Sequence, residues 1–267
     1  MNRMVSALTI ASSDPTGGAG ISADLRAFSA LGVHGLFVIA AVTSQNTVSV
    51  RCVHPLPPPV IKNQIDAVFD DFAPSAVKIG VLYSPSIART VGDCLEKHRE
   101  KFNGSIIIDP VLRSTTGTEL HVRGYVKELK KLISRTRAEL VTPNVPEAEI
   151  LSGIAIKSLD DAKKAARSIA DLGCAAVLVK GGHMPNRYNA ADLLYDRARF
   201  HLYVSRRLRV KLHGAGCTYS ALIAAGVAKG LNIPDAVRTA KRILCIGIKN
   251  SRVIGKGGLS VIYPEPL

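Results

Sequence analysis

The segment His213-Gly214-Ala215-Gly216-Cys217 opens a helix expected to run to Lys229. Its two glycines leave backbone N–H groups bare at the positive end of a helix dipole, where charge developing on a transferring phosphoryl can be held. Cys217 sits where a helix N-terminus lowers a thiol below its reference of about 8.5, so a cysteine base is expected there. The alternative is a small residue packing the first turn.

Two carboxylates stand where a parallel sheet presents its ligands. Asp109 ends the strand Ile106-Ile107-Ile108, and Glu147 follows Pro143-Asn144. Magnesium carrying a nucleotide phosphate needs one or two such groups and keeps several waters; helix caps or solvated turns are the other reading. The turn from Ser12 through Asp14 to Gly17-Gly18-Ala19-Gly20 permits close backbone approach to a ligand. It has neither Walker A nor dinucleotide spacing. Thr43-Ser44-Gln45-Asn46-Thr47 supplies amides that both donate and accept, the mixture that an aminopyrimidine edge requires. Lys180-Gly181-Gly182-His183 puts a cation beside a flexible turn, suited to a phosphate.

Positioning these groups requires strands whose carboxyl ends converge. Apolar runs alternate with helix-period segments: strands over 5–11, 35–43, 76–81, 105–109, 139–141 and 175–179, and helices over 20–31, 58–72, 85–98, 124–134 and 160–172. Segments 192–195 and 200–204 alternate as an antiparallel hairpin, and two helices, 217–229 and 234–249, are expected to close the chain. This is the pattern of a mainly parallel sheet covered on both faces, with ligands beyond its carboxyl edge. No linker or repeat interrupts it, so residues 1–267 are expected to form one domain.

Composition narrows the partners. Thirty-five Lys and Arg against 21 Asp and Glu give a net charge of +14, which suits either a nucleic acid or anionic metabolites. The basic residues are interrupted at regular spacing, and with no Trp there is little for bases to stack on, so nucleic-acid binding is not expected. No apolar run reaches the roughly 20 residues that cross a bilayer, and residues 1–11 read as a first strand rather than a leader. Five widely spaced cysteines without a CxxC pair point to a reducing, cytoplasmic setting.

Taken together, the motifs resemble the hydroxymethylpyrimidine and phosphomethylpyrimidine kinases of thiamine biosynthesis, within the ribokinase-like superfamily. The resemblance runs from Ala7 to about Lys229. It rests on Ser13-Asp14-Pro15-Thr16-Gly17-Gly18-Ala19-Gly20, Ala23-Asp24-Leu25, Thr43-Ser44-Gln45-Asn46, Lys78-Ile79-Gly80, Asp109-Pro110-Val111, Thr142-Pro143-Asn144, Lys180-Gly181-Gly182-His183 and His213-Gly214-Ala215-Gly216-Cys217-Thr218, all in family order.

The resemblance implies a three-layer α/β sandwich, ATP and Mg2+ as cofactors, hydroxymethylpyrimidine and its monophosphate as substrates, and a homodimer. By it, Gln45 and Asp24 would hydrogen-bond the pyrimidine, with Ser12 and Val81 beside it. Asp109 and Glu147 would organise magnesium, and Asn144 and Lys180 would lie along ATP. Gly214, Ala215, Gly216 and Cys217 would form the anion hole, with Cys217 taking the hydroxyl proton. The chain departs from the family at Ser12, where Gly is usual, and at Ser114-Thr115-Thr116-Gly117 and Val210-Lys211-Leu212-His213, where two lysines are missing in register. Lys211 and Arg113 are alternative replacements. Pyridoxal kinase and a non-catalytic, ligand-sensing relative remain the competing readings.

Overall fold

The computed structural model describes residues 4–100, 102–181, 189–208 and 210–266. Period-two alternation builds the central sheet. In β1 (Ser6–Ser12), Leu8 and Ile10 face one side while Ala7 faces the other, and in β5 (Ser105–Ile108) Ile106 and Ile108 oppose Ile107 in the same way. Both faces are therefore apolar, as parallel strands covered by helices must be.

The remaining strands are β2 (His34–Gln45), β3 (Val50–Pro55), β4 (Ala76–Ile79), β6 (Leu140–Val141), β7 (Ala176–Val179), β8 (Asn189–Tyr195) and β9 (Phe200–Arg206). Among the described residues they form one sheet in the order β3-β2-β1-β4-β5-β6-β7-β8-β9. The stretch from β2 to β7 is parallel; β3 pairs antiparallel at one edge, and the β8–β9 hairpin does so at the other.

Helices α2 (Pro58–Asp71), α3 (Pro85–Lys97), α4 (Tyr125–Thr136), α5 (Val145–Ser152) and α6 (Leu159–Ala170) bury their apolar stripes on one face. On the other lie α1 (Gly20–Ala30), α7 (Ala215–Ala228) and α8 (Ile233–Lys249). Residues 218–226 of α7 are buried without interruption, so this helix is apolar all round and lies at the centre of its layer. The expected three-layer sandwich is present.

The chain does not end on helices as expected. A second, three-stranded sheet follows, formed by β10 (Leu212–His213), β12 (Leu259–Val261) and β11 (Arg252–Ile254) in that order. β10 runs parallel to β12, and β11 forms a hairpin with β12. β3 and α5 were also not anticipated. β3 is an exposed edge strand with no apolar alternation, and α5 is only eight residues long.

Candidate active site

The carboxyl ends of β1, β2, β4, β5, β6 and β7 open into a cleft of about 1160 Å³, which also reaches the amino ends of α1 and α7. Ser12, Gln45, Val81, Asp109, Asn144, Glu147, Lys180 and residues 214–217 all line it. Motifs as far apart in sequence as residues 12 and 217 thus meet at the edge where open parallel sheets bind ligands. Gly182 and His183 lie outside the described residues.

Two glycine turns interlock to make the anion-binding end. Gly214 adopts φ +74°, and a Cβ there would stand 2.0 Å from the Gly18 carbonyl oxygen. A Cβ on Gly18 would in turn stand 2.2 Å from the His213 ring. Only glycines allow this approach. Asp14 holds the first turn: its carboxylate accepts from the Thr16 N–H at 3.0 Å and the Ala19 N–H at 2.7 Å, and His213 Nε2 lies 2.8 Å away. Burial works against its charge, but the His213 and Thr16 hydrogen bonds prevail and hold its pKa below the usual carboxylate value.

Lys180 reaches the second turn. Its Nζ lies 2.6 Å from Asp109 Oδ1 and 3.3 Å from where a Gly216 Cβ would stand. Thr142 and Ser220 donate to the Asp109 oxygens, each at 3.1 Å. Asp109 is fully buried, yet the Lys180 and Lys78 charges outweigh desolvation and lower its pKa. Glu147 behaves differently. Burial outweighs the pull of Lys180, Asp109 repels it, and its pKa is pushed up to about 7.

Glu147 and Asn144 form a capping box at the start of α5. The Glu147 carboxylate accepts the Asn144 N–H at 2.8 Å, and the Asn144 side-chain oxygen accepts the Glu147 N–H at 2.9 Å. This leaves the Asn144 amide NH2 as a donor toward the cleft. Asn-x-x-Glu with Pro146 inside the first turn is the signal that could have revealed α5 from sequence.

Hard oxygen donors suit magnesium, and Asp109 and Glu147 offer a carboxylate pair whose mutual repulsion a divalent cation would relieve. No cluster of three His, Cys, Asp or Glu side chains able to hold a metal occurs among the described residues. The fit is therefore to an ion held by one or two carboxylates together with phosphate oxygens and water, rather than to an all-protein cage.

Two expectations need correction. Asp24 does not line the cleft: it is fully buried, with Lys78 Nζ 3.0 and 2.8 Å from its two oxygens and the Thr9 hydroxyl donating at 2.6 Å. Its carboxylate is engaged in a buried ion pair behind Lys78, which does line the cleft. The Cys217 thiol is not lowered. Burial pushes it up to about 11, helped by the Asp109 and Asp24 carboxylates, against the opposing pull of Lys78 and the Gly20 N–H. Cys217 is partly buried in the cleft wall, where desolvation together with the two carboxylates outweighs the helix terminus.

Ser12 turns its hydroxyl onto the Val81 carbonyl at 3.0 Å, joining two expected substrate neighbours. Asn46 is a turn residue, its side chain accepting from the Val48 and Ser49 N–H groups. Of the two possible replacement cations, Arg113 lines the cleft and Lys211 does not. Asp14 and His213 were quoted in motifs without roles; the signal for Asp14 was the Asp-x-Thr turn. Beyond the phosphate end, Asp192, Lys241, Tyr219, Leu244 and Cys245 extend the cleft as a pocket of mixed polarity.

The chain is similar in sequence and fold to known kinases. The profile described as phosphomethylpyrimidine kinase matches residues 14–261. A hydroxymethylpyrimidine/phosphomethylpyrimidine kinase of Aquifex aeolicus is 43% identical over 252 residues, covering 94% of this chain and 97% of its own. The crystal structure of phosphomethylpyrimidine kinase from Clostridium difficile superposes with a TM-score of 0.80 at 40% identity, covering 91% of this chain and 99% of the other. Staphylococcus aureus pyridoxal kinase in complex with AMP-PCP and pyridoxal gives a TM-score of 0.85 at 31% identity, covering 97% and 93%.

Proposed function

The chain belongs to the phosphomethylpyrimidine kinase family, and on that premise we propose how its cleft works as a phosphotransferase. ATP donates its terminal phosphoryl to the hydroxymethyl oxygen of 4-amino-5-hydroxymethyl-2-methylpyrimidine and then to the monophosphate so formed. The product is the pyrimidine diphosphate of thiamine biosynthesis. The whole chain acts as one kinase domain.

The observation that carries this reading is the meeting of Lys180, Asp109 and the Gly214–Cys217 turn at one point of the cleft, with Gln45 lining the same cleft beside His213. Phosphoryl transfer is catalysed chiefly by positioning and charge neutralisation, which these groups supply. The N–H groups at the start of α7 and the Lys180 ammonium face the charge that develops on the transferring group. The Asn144 NH2 lies along the phosphates, and Gln45 meets the ring, flanked by Ser12 and Val81. Cys217 stands where the hydroxyl proton leaves. Asp109 and Glu147 would hold a magnesium ion, which would supply charge neutralisation on the phosphates.

The reading includes a cytoplasmic setting, supported by five free cysteines. It also includes pairing of two copies, supported by exposed Val42 and Val48 beside the β3 edge. No helix among the described residues is long and apolar enough to cross a membrane.

Pyridoxal is the second substrate to weigh, since the Staphylococcus aureus structure binds it on the same fold. An ADP-release assay with hydroxymethylpyrimidine and pyridoxal in parallel discriminates. Turnover of the pyrimidine at the higher kcat/KM supports the reading; turnover of pyridoxal alone refutes it.

A further inference from the structure

His213 is fixed from four directions, by partners between 48 and 199 residues away. Its Nε2 lies 2.8 Å from Asp14 Oδ2 in the phosphate turn and 3.4 Å from the Gln45 amide nitrogen, while its Nδ1 lies 3.3 Å from the Thr115 hydroxyl. Its backbone, in β10, pairs with Val261 of β12. The ring is 4% exposed and is packed against Gly18.

The proton positions follow from the partners. Asp14 is ionised and can only accept, so Nε2 carries the hydrogen and donates to it. An amide nitrogen beside that same Nε2–H would set two donors against each other. Exchanging the nitrogen and oxygen of the Gln45 amide, whose nitrogen stands toward the ring at 3.4 Å, removes this conflict and turns the NH2 to the cleft. Thr115, from the turn whose ends meet at the Arg113–Glu119 bridge, donates to Nδ1.

The C-terminal hairpin braces the same arrangement from behind. The Gly257 N–H donates to the Thr47 hydroxyl at 3.0 Å, and a Cβ at Gly257 would stand 2.0 Å from the Thr47 carbonyl oxygen. The β11–β12 turn thus grips the loop two residues beyond Gln45, while β12 holds His213.

We propose that His213, braced by the C-terminal hairpin, is the positioning residue that fixes the Gln45 amide as a hydrogen-bond donor toward a ring-nitrogen acceptor of the substrate. The inference rests on the pyrimidine kinase reading and goes beyond it by assigning the amide's polarity and the element that enforces it.

Calorimetric titration of the parent, His213→Asn and His213→Gln with hydroxymethylpyrimidine and, separately, with a non-hydrolysable ATP analogue tests it. His213→Asn should weaken pyrimidine binding about tenfold, the size of one mispositioned buried hydrogen bond, with nucleotide affinity changed less than about threefold. His213→Gln places a donor near the Nε2 position and should recover most of the loss. Thr47→Val, which loosens the brace without touching the imidazole, should weaken the pyrimidine selectively by a smaller factor and serves if the Asn variant does not fold. Parent-like pyrimidine binding in the folded variants, or equal losses for both ligands, overturns the proposal while leaving the kinase reading intact. A parent that binds no pyrimidine overturns both.

Discussion

Lys180 and Asp109 meet on the floor of the cleft, the ammonium 2.6 Å from a carboxylate that is itself fully buried. Each follows or ends a parallel strand, and their contact places the lysine between a metal-binding carboxylate and the anion-binding turn. A buried charge deprived of its partner costs far more than the pair contributes.

Replacing Lys180 with Met should therefore destabilise the fold by about 3–5 kcal/mol, as expected when one member of a buried ion pair is removed. Lys78 remains near Asp109 and should keep the loss toward the lower end. Adding Asp109→Asn should restore much of the stability without restoring turnover. Urea unfolding of the single and double variants, alongside their rates, separates the structural from the catalytic contribution.

Much of this arrangement was legible in the sequence because alternation in β1 and β5 and the order of glycine turns reflect local physics. What was not legible depends on distance and depth. Asp24 occupies a helix-face position that reads equally well as site or core; only Lys78, 54 residues on, decides it. The lowering expected for Cys217 follows from its place on α7, but burial is a property of the assembled layers and reverses the shift. β3 has no apolar alternation to detect, and the role of His213 arises from partners on three other segments.

Glu147 should impose a pH dependence on stability. Its folded pKa of about 7 exceeds its ordinary value of about 4.3, so its favourable contribution is fully present below about pH 4.3 and is lost as pH rises through about 7. Relative to the parent, Glu147→Gln should gain stability progressively between pH 4 and 8, read from unfolding midpoints at each pH. The same variant, and Asp109→Asn, should need more magnesium for half-maximal rate. An unchanged magnesium requirement in both would remove them from the metal site.

Cys217 should alkylate slowly at neutral pH, its rate rising on the alkaline side toward about pH 11, because burial favours the thiol. Only the thiolate can accept the hydroxyl proton, so parent turnover should rise on that same alkaline side, and Cys217→Ala should still bind both ligands while losing that rise and about 10²- to 10⁴-fold in turnover at high pH, the usual range for a general base. Parent-like turnover in the Ala variant would reduce the cysteine to scaffold of the anion-binding turn.

The central claim is that one cleft carries out both phosphorylations of the pyrimidine. Mass spectrometry of the products formed from hydroxymethylpyrimidine with excess magnesium and ATP tests it most directly. The account predicts the monophosphate as an early species and the diphosphate as the end product, with two ADP released per pyrimidine. Absence of any phosphorylated pyrimidine under conditions where ATP is bound would contradict it.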